Sequence, residues 1–140
     1  MSIDVSIRHV SGIAIFDLSG RLVAGDNQIG DNPEGDTLRV ILLRAYEQGK
    51  RWMLLNCEDL THVDSYGIGE LVGADATIVR RGGVLKLLNP NHLLADLLAL
   101  TGLDSLFDIY DDELIAIASF NNAGNARTKQ KLTDYLDRDV

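Results

Sequence analysis

The chain has 140 residues, the length of one domain, and its 46% hydrophobic and 24% charged residues exclude a disordered or fibrous polymer. Thirteen Lys and Arg against 21 Asp and Glu leave a net charge of −8, a field that repels phosphate backbones and anionic lipid, so neither nucleic acid nor a membrane is expected as partner. The single cysteine, Cys57, forms no internal bridge, the start Met1-Ser2-Ile3-Asp4 lacks the pattern of a secretory signal, and no apolar run reaches the roughly 18 residues of a membrane span; the expected compartment is the cytoplasm.

Ile3, Val5 and Ile7 alternate, and after Gly12 the run Ile13-Ala14-Ile15-Phe16-Asp17-Leu18 reads as a second strand closed by Ser19-Gly20. Two adjacent strands with a short break predict a hairpin. Residues 24–36 hold four acids, no base, three glycines and a proline, and read as an exposed, mobile loop. The loop lacks calcium-binding spacing and a closing bidentate Glu, so no metal is expected there.

Asp36 or Thr37 can cap a helix that runs to about Gln48, with Leu38, Ile41, Leu42 and Ala45 on one face and Gly49 as its stop. Trp52-Met53-Leu54-Leu55-Asn56-Cys57 is an apolar run that fits a strand buried on both sides, the habit of parallel sheets covered by helices. Cys57 to Val63 reads as a polar link across the sheet end, and Asp64 or Ser65 opens a helix that ends at Arg80-Arg81-Gly82-Gly83. Val84 to Leu88 is the next strand. Asn89-Pro90-Asn91 leads into a leucine-rich helix stopped at Gly102, and Phe107 to Tyr110 is a short last strand. Asp111, Asp112 and Glu113 fall on the first turn of a fourth helix, where the dipole favours acids. Residues 121–140 change in kind: they carry four bases and three acids and few large apolar side chains. They read as a polar tail, disordered or weakly docked, on which Leu132, Tyr135 and Leu136 share a helical face. The predicted architecture is α/β: a mixed sheet of about five strands with four or more helices packed on it, a domain over 1–120 and a tail over 121–140.

Phosphate-binding, thiol-redox, metal-ligand and nucleophile-elbow motifs are absent from the sequence. His9, His62 and His92 are isolated and read as surface residues; Cys57 reads as a buried structural thiol. No catalytic residue, metal or cofactor is expected. The informative segment follows the buried strand, where α/β proteins place ligand chemistry. There Asp64-Ser65-Tyr66-Gly67-Ile68-Gly69 opens a helix. A cap at Asp64 or Ser65 explains part of the pattern. It does not explain two glycines in the first turn, where each weakens a helix by up to about 1 kcal/mol. The glycines read as room for the backbone of another protein. A hydroxyl at a helix N-terminus lies among N–H groups that welcome a phosphate. Asp64 is placed to cap, to polarise the Ser65 hydroxyl or to help hold a magnesium ion during phosphoryl transfer.

The segment from Leu55 to Gly73, with its Leu-Asn start, Asp64-Ser65 pair and spaced Gly67 and Gly69, resembles the signature of the STAS domain, in particular the bacterial anti-sigma-factor antagonists. Gly20-Arg21-Leu22 and Thr101-Gly102-Leu103 agree with that family's order of elements. The resemblance implies a STAS-like fold and makes Ser65 the phosphoacceptor, with Asp64, Tyr66, Gly67 and Gly69 as its neighbours and partner surface. It implies two partners, an anti-sigma factor of the serine-kinase type and a phosphatase. Val23 stands where relatives often carry an acid, with Asp26 as a possible substitute, and Tyr66 stands where the residue is usually small. These departures favour an alternative role, a non-phosphorylated scaffold module that assembles with other signalling proteins. A receiver-like enzyme with Asp64 as acceptor lacks its acidic pair and its lysine: Asp17 lies inside its strand and Lys86 is mid-strand.

Overall fold

A computed structural model describes residues 3–23, 37–121, 133, 135 and 136. The acidic stretch 24–36, with its expected mobility and lack of metal binding, lies outside the described residues, as do Leu132 and most of the tail.

The chain order is β1 (Ile3–Val10), β2 (Ile13–Leu22), α1 (Leu38–Glu47), β3 (Trp52–Val63), α2 (Ser65–Arg80), β4 (Val84–Leu88), α3 (His92–Leu100), a single 3₁₀ turn (Asp104–Leu106), β5 (Ile109–Tyr110) and α4 (Glu113–Ser119). The strands form one five-stranded sheet in the order β1-β2-β3-β4-β5. β1 and β2 pair antiparallel, with Val10 opposite Ile13 across a two-residue turn. Ser11 and Gly12 both have positive φ there (52° and 80°), the handedness that matches the twist of the flanking strands. The remaining pairs are parallel. Hairpin, parallel part and flanking helices follow the sequence reading.

Leu54 and Leu55 are both fully buried, so β3 is an interior strand, as its apolar run predicts. The two faces of the sheet follow from the period of two. Ala14, Phe16 and Leu18 of β2, Met53, Leu55 and Cys57 of β3, and Leu85 and Leu87 of β4 meet Leu38 and Leu42 of α1, Leu71 and Ile78 of α2, and Leu94 and Leu98 of α3. On the other face Ile13, Ile15, Leu54, Val84 and Leu88 meet Ala116 of α4 and Phe120 at its C-terminal cap. Burial pushes the Cys57 thiol up to about 12, which makes it inert.

At the start of α4 the second face turns polar. Arg8 forms a two-pronged pair with Asp17 (2.6 and 2.9 Å) and reaches Glu113 at the start of α4 (2.7 Å). The Asn56 amide donates to the same Asp17 carboxylate (2.8 Å). Arg8 therefore fastens α4 to the hairpin, and the hydrogen bonds from Arg8, then Asn56, hold the Asp17 carboxyl below its ordinary value. A lowered carboxyl contributes stability above its unfolded value, about 3.9, and loses it as pH falls through the folded value. Thermal unfolding followed from neutral pH downward is expected to show a loss of melting temperature starting near pH 4, shallower in Asp17→Asn; equal slopes would refute the assignment.

Boundaries differ from expectation at three places, the least of them β5, which begins at Ile109 rather than Phe107. Residues 57–63 are strand rather than a link: β3 continues to Val63 beside a β2 that runs past Ser19-Gly20 to Leu22. Register shifts between Asp17/Ser19 and Gly20/Arg21 let Cys57, Leu60 and Val63 all turn inward, which replaces alternation by a spacing of three. At α4, Asp112 is the cap, accepting from the Ile115 N–H (3.0 Å), so only Glu113 of the three acids lies inside the helix.

Candidate functional site at the start of helix α2

The ends of β2 and β3 carry the start of α2. Asp64 is extended, and its Oδ1 accepts from the Gly67 N–H at 3.0 Å while its carbonyl accepts from the Ile68 N–H at 3.0 Å. Asp64 thus acts as the helix cap, one of the roles its position allowed. Its own N–H points back to the Leu22 carbonyl (3.4 Å). Thr61 steadies the same corner, its hydroxyl donating to the Gly20 carbonyl (3.0 Å). Because that proton is spent on Gly20, His62 Nδ1 approaches the Thr61 oxygen (3.0 Å) as a donor.

On the other side Asn91 fastens two elements at once. Its side-chain oxygen caps α3 by accepting from the Leu94 N–H (3.0 Å), and its amide donates to the Leu60 carbonyl. The projecting end of β3, beyond the last pair with β4 at Asn56, is thereby tied to α3. Sequence reasoning saw Asn91 only as part of a turn. An Asn directly before a helix is a recognisable cap, but its second bond depends on a strand end 31 residues away.

The residues expected at the site divide between two sides of α2. Ser65, Tyr66 and Gly69 are exposed, with Tyr66 at 40%. Their i, i+3 and i, i+4 spacing sets them on one outward strip of the first turn. Gly67 is buried on the other side: a Cβ built there would lie 2.0 Å from the Leu22 carbonyl oxygen. The reading of Gly67 as room for a partner is corrected, since the chain's own β2 fills that space. Gly69 has no atom within 4 Å of an added Cβ and keeps the open character expected of it.

Glu58, Asp59, Thr61 and His62 are exposed along the projecting part of β3, so the approach to α2 is polar and carries two acids. A cleft of about 530 Å³ lies at the carboxyl ends of β4 and β5, lined by Glu58, Asn89, Pro90, Asn91, Ile109, Tyr110 and Asp111. Ser65 and Tyr66 are not among its walls, and both are exposed. Among the described residues, no group of three or more His, Cys, Asp and Glu side chains is arranged to hold a metal ion, and no helix is long and apolar enough to cross a membrane.

The family profile of the STAS domain matches residues 4–114. The anti-sigma F factor antagonist of Paenibacillus polymyxa is 27% identical over 118 residues, covering 84% of this chain and 94% of that protein. The anti-sigma-B factor antagonist of Bacillus subtilis is 33% identical over 87 residues, covering 62% of this chain and 76% of its own. Among solved structures, the Bacillus cell fate determinant SpoIIAA in its phosphorylated form superposes with a TM-score of 0.60 at 22% identity, over 83% of this chain and 98% of that one.

Proposed function

The chain belongs to the STAS domain family, among relatives that are anti-sigma-factor antagonists, and from that premise we propose that it binds an anti-sigma factor and is switched off by phosphorylation of Ser65. The observation that carries this reading is the exposed strip of Ser65, Tyr66 and Gly69 at the first turn of α2, held in place by the Asp64 cap and the Leu22 carbonyl. In this reading the protein is a ligand rather than an enzyme. Its partner is a serine-kinase type of anti-sigma factor, and a phosphatase restores the free hydroxyl. The work takes place in the cytoplasm.

The switch follows from charge. A phosphate adds about −1.5 to −2 charges beside Asp64, Asp59 and Glu58. The N-terminus of α2 accommodates an anion through the positive end of its dipole. A partner surface shaped to desolvate a neutral hydroxyl does not, because a buried uncompensated charge is strongly penalised. Tyr66 supplies the anchor: an exposed ring next to the acceptor is the residue type that dominates interfaces.

The same ring supports a second reading, a scaffold module that binds through this face without phosphate turnover. Incubation with the kinase-type anti-sigma factor and ATP separates the two, since only the switch consumes ATP at this chain. For the binding itself, titration calorimetry against that anti-sigma factor is expected to give a 1:1 complex that Tyr66→Ala weakens tenfold or more, about 1.4 kcal/mol. Equal affinity of the variant would remove Tyr66 from the interface, and no binding by either protein would overturn the function.

A further inference from the structure

A polar tail has little reason to stay on a domain unless one of its side chains is anchored. Tyr135 is such a side chain: it is only 3% exposed and belongs to the main core cluster, whereas Thr133 and Leu136 on either side are exposed. Its hydroxyl donates to the Asp75 carboxylate, and its ring lies 5.9 Å from the Arg80 guanidinium. Both partners are on α2. Asp75 is itself fully buried, on the stretch of helix that carries Leu71, Ala74 and Ile78 into the core. A carboxylate in that position is costly unless donors reach it, and the phenol is a donor brought from 60 residues away.

We propose that the seat beside Asp75 and Arg80 is a docking site on α2 for the chain's own C-terminal segment, and that it selects that segment by the phenol of Tyr135. The ring belongs to the apolar core cluster, the buried carboxylate accepts from the hydroxyl at the ring's tip, and Arg80 approaches the ring near the outer limit of a cation–π contact. With Tyr135 buried while Thr133 and Leu136 are exposed, the phenol is a peg seated against α2. Ser65 begins the same helix about 15 Å away along its axis, so the peg braces the far half of α2 and leaves the outward strip uncovered. The inference does not depend on the phosphorylation switch or on the anti-sigma factor.

The test uses the full chain carrying Tyr135→Ala, followed by amide hydrogen exchange. Exchange in the part of α2 around Asp75 should speed up tenfold or more, with β2 and β3 little changed. A synthetic peptide of residues 128–140, added in excess, should restore the protection, and the same peptide with Tyr135→Phe should restore much less. Unchanged exchange in Tyr135→Ala overturns the proposal. So does a loss that the peptide fails to repair, which would make Tyr135 a packing residue only. Should Tyr135→Ala fail to fold, Tyr135→Phe and Asp75→Asn are compared singly and together. A double variant no less stable than Asp75→Asn alone supports the phenol–carboxylate pairing, and additive losses refute it. A concentration-dependent dimer of the unmodified chain that Tyr135→Ala abolishes would assign the seat to a second copy and overturn docking within one chain.

Discussion

Gly67→Ala is expected to destabilise the chain severely, while Gly69→Ala, two residues on in the same helix, leaves it as stable or slightly more so. At Gly67 the added methyl would sit 2.0 Å from the Leu22 carbonyl oxygen, 3.0 Å from its carbon and 3.1 Å from the Leu22 Cγ. The first two are backbone atoms of β2, held at this point by the pairing of Leu22 with Val63 of β3. Relief requires moving the start of α2, which stretches the bond from the Asp64 N–H to Leu22 and disturbs the cap from Asp64 to Gly67. Overpacking typically costs about 1–3 kcal/mol, and a rigid backbone obstacle puts this case at the upper end or above it. At Gly69 nothing lies within 4 Å, and replacing a helical glycine by alanine stabilises by about 0.5–1 kcal/mol. Urea unfolding of the three proteins checks both signs. A Gly67→Ala loss below about 0.5 kcal/mol would show that the β2–α2 junction yields, against the close packing expected of protein interiors. Gly69→Ala also separates folding from binding: a stable variant with reduced affinity for the anti-sigma factor would place the partner's surface against this turn.

These two glycines mark the limit of what the sequence discloses. Their presence in a first turn is a departure from helix propensity, and such departures signal function or packing without saying which. The structure divides them because Gly67 faces β2 and Gly69 faces out, a difference of two helical positions that only the register with Leu22 decides. The interior strand was legible because Met53, Leu54 and Leu55 are apolar without alternation, and both faces of the sheet are covered. The second half of β3 was not, because its inward residues Cys57, Leu60 and Val63 are spaced by three through a shifted register, and polar residues between them imitate a loop. Lys86 was placed correctly in its strand, but its burial was not visible. Its ammonium donates to Ser119 at 2.9 Å and lies 4.7 Å from the centre of the Phe120 ring, partners that come from α4 and its end. Tyr135 shows the same limit, since its acceptor lies on a helix far away in sequence.

Ser65→Asp is expected to keep its fold and lose at least tenfold in affinity for the anti-sigma factor, about 1.4 kcal/mol or more. The fold survives because Ser65 is exposed and the cap is made by its neighbour, so the substitution removes no internal contact that holds the corner. An added carboxylate in the first turn even gains from the helix dipole, by about 0.3–1 kcal/mol at an exposed site. The affinity falls because the same negative charge must be desolvated beneath the partner, next to a polar edge that already carries Glu58 and Asp59. A carboxylate carries about one charge where phosphate carries nearly two, and it lacks the tetrahedral oxygens, so the phosphorylated protein should bind more weakly still. Ser65→Ala, which stays neutral, should bind as well as the unmodified chain and take up no phosphate. Mass spectrometry after incubation with the kinase and ATP should find one phosphate, on Ser65. Phosphate on Ser11 or any other residue refutes the assignment of the acceptor. Full affinity in Ser65→Asp, together with no phosphate on the chain, would leave this face as a fixed docking surface, with the Tyr66 ring rather than the Ser65 hydroxyl as its working part.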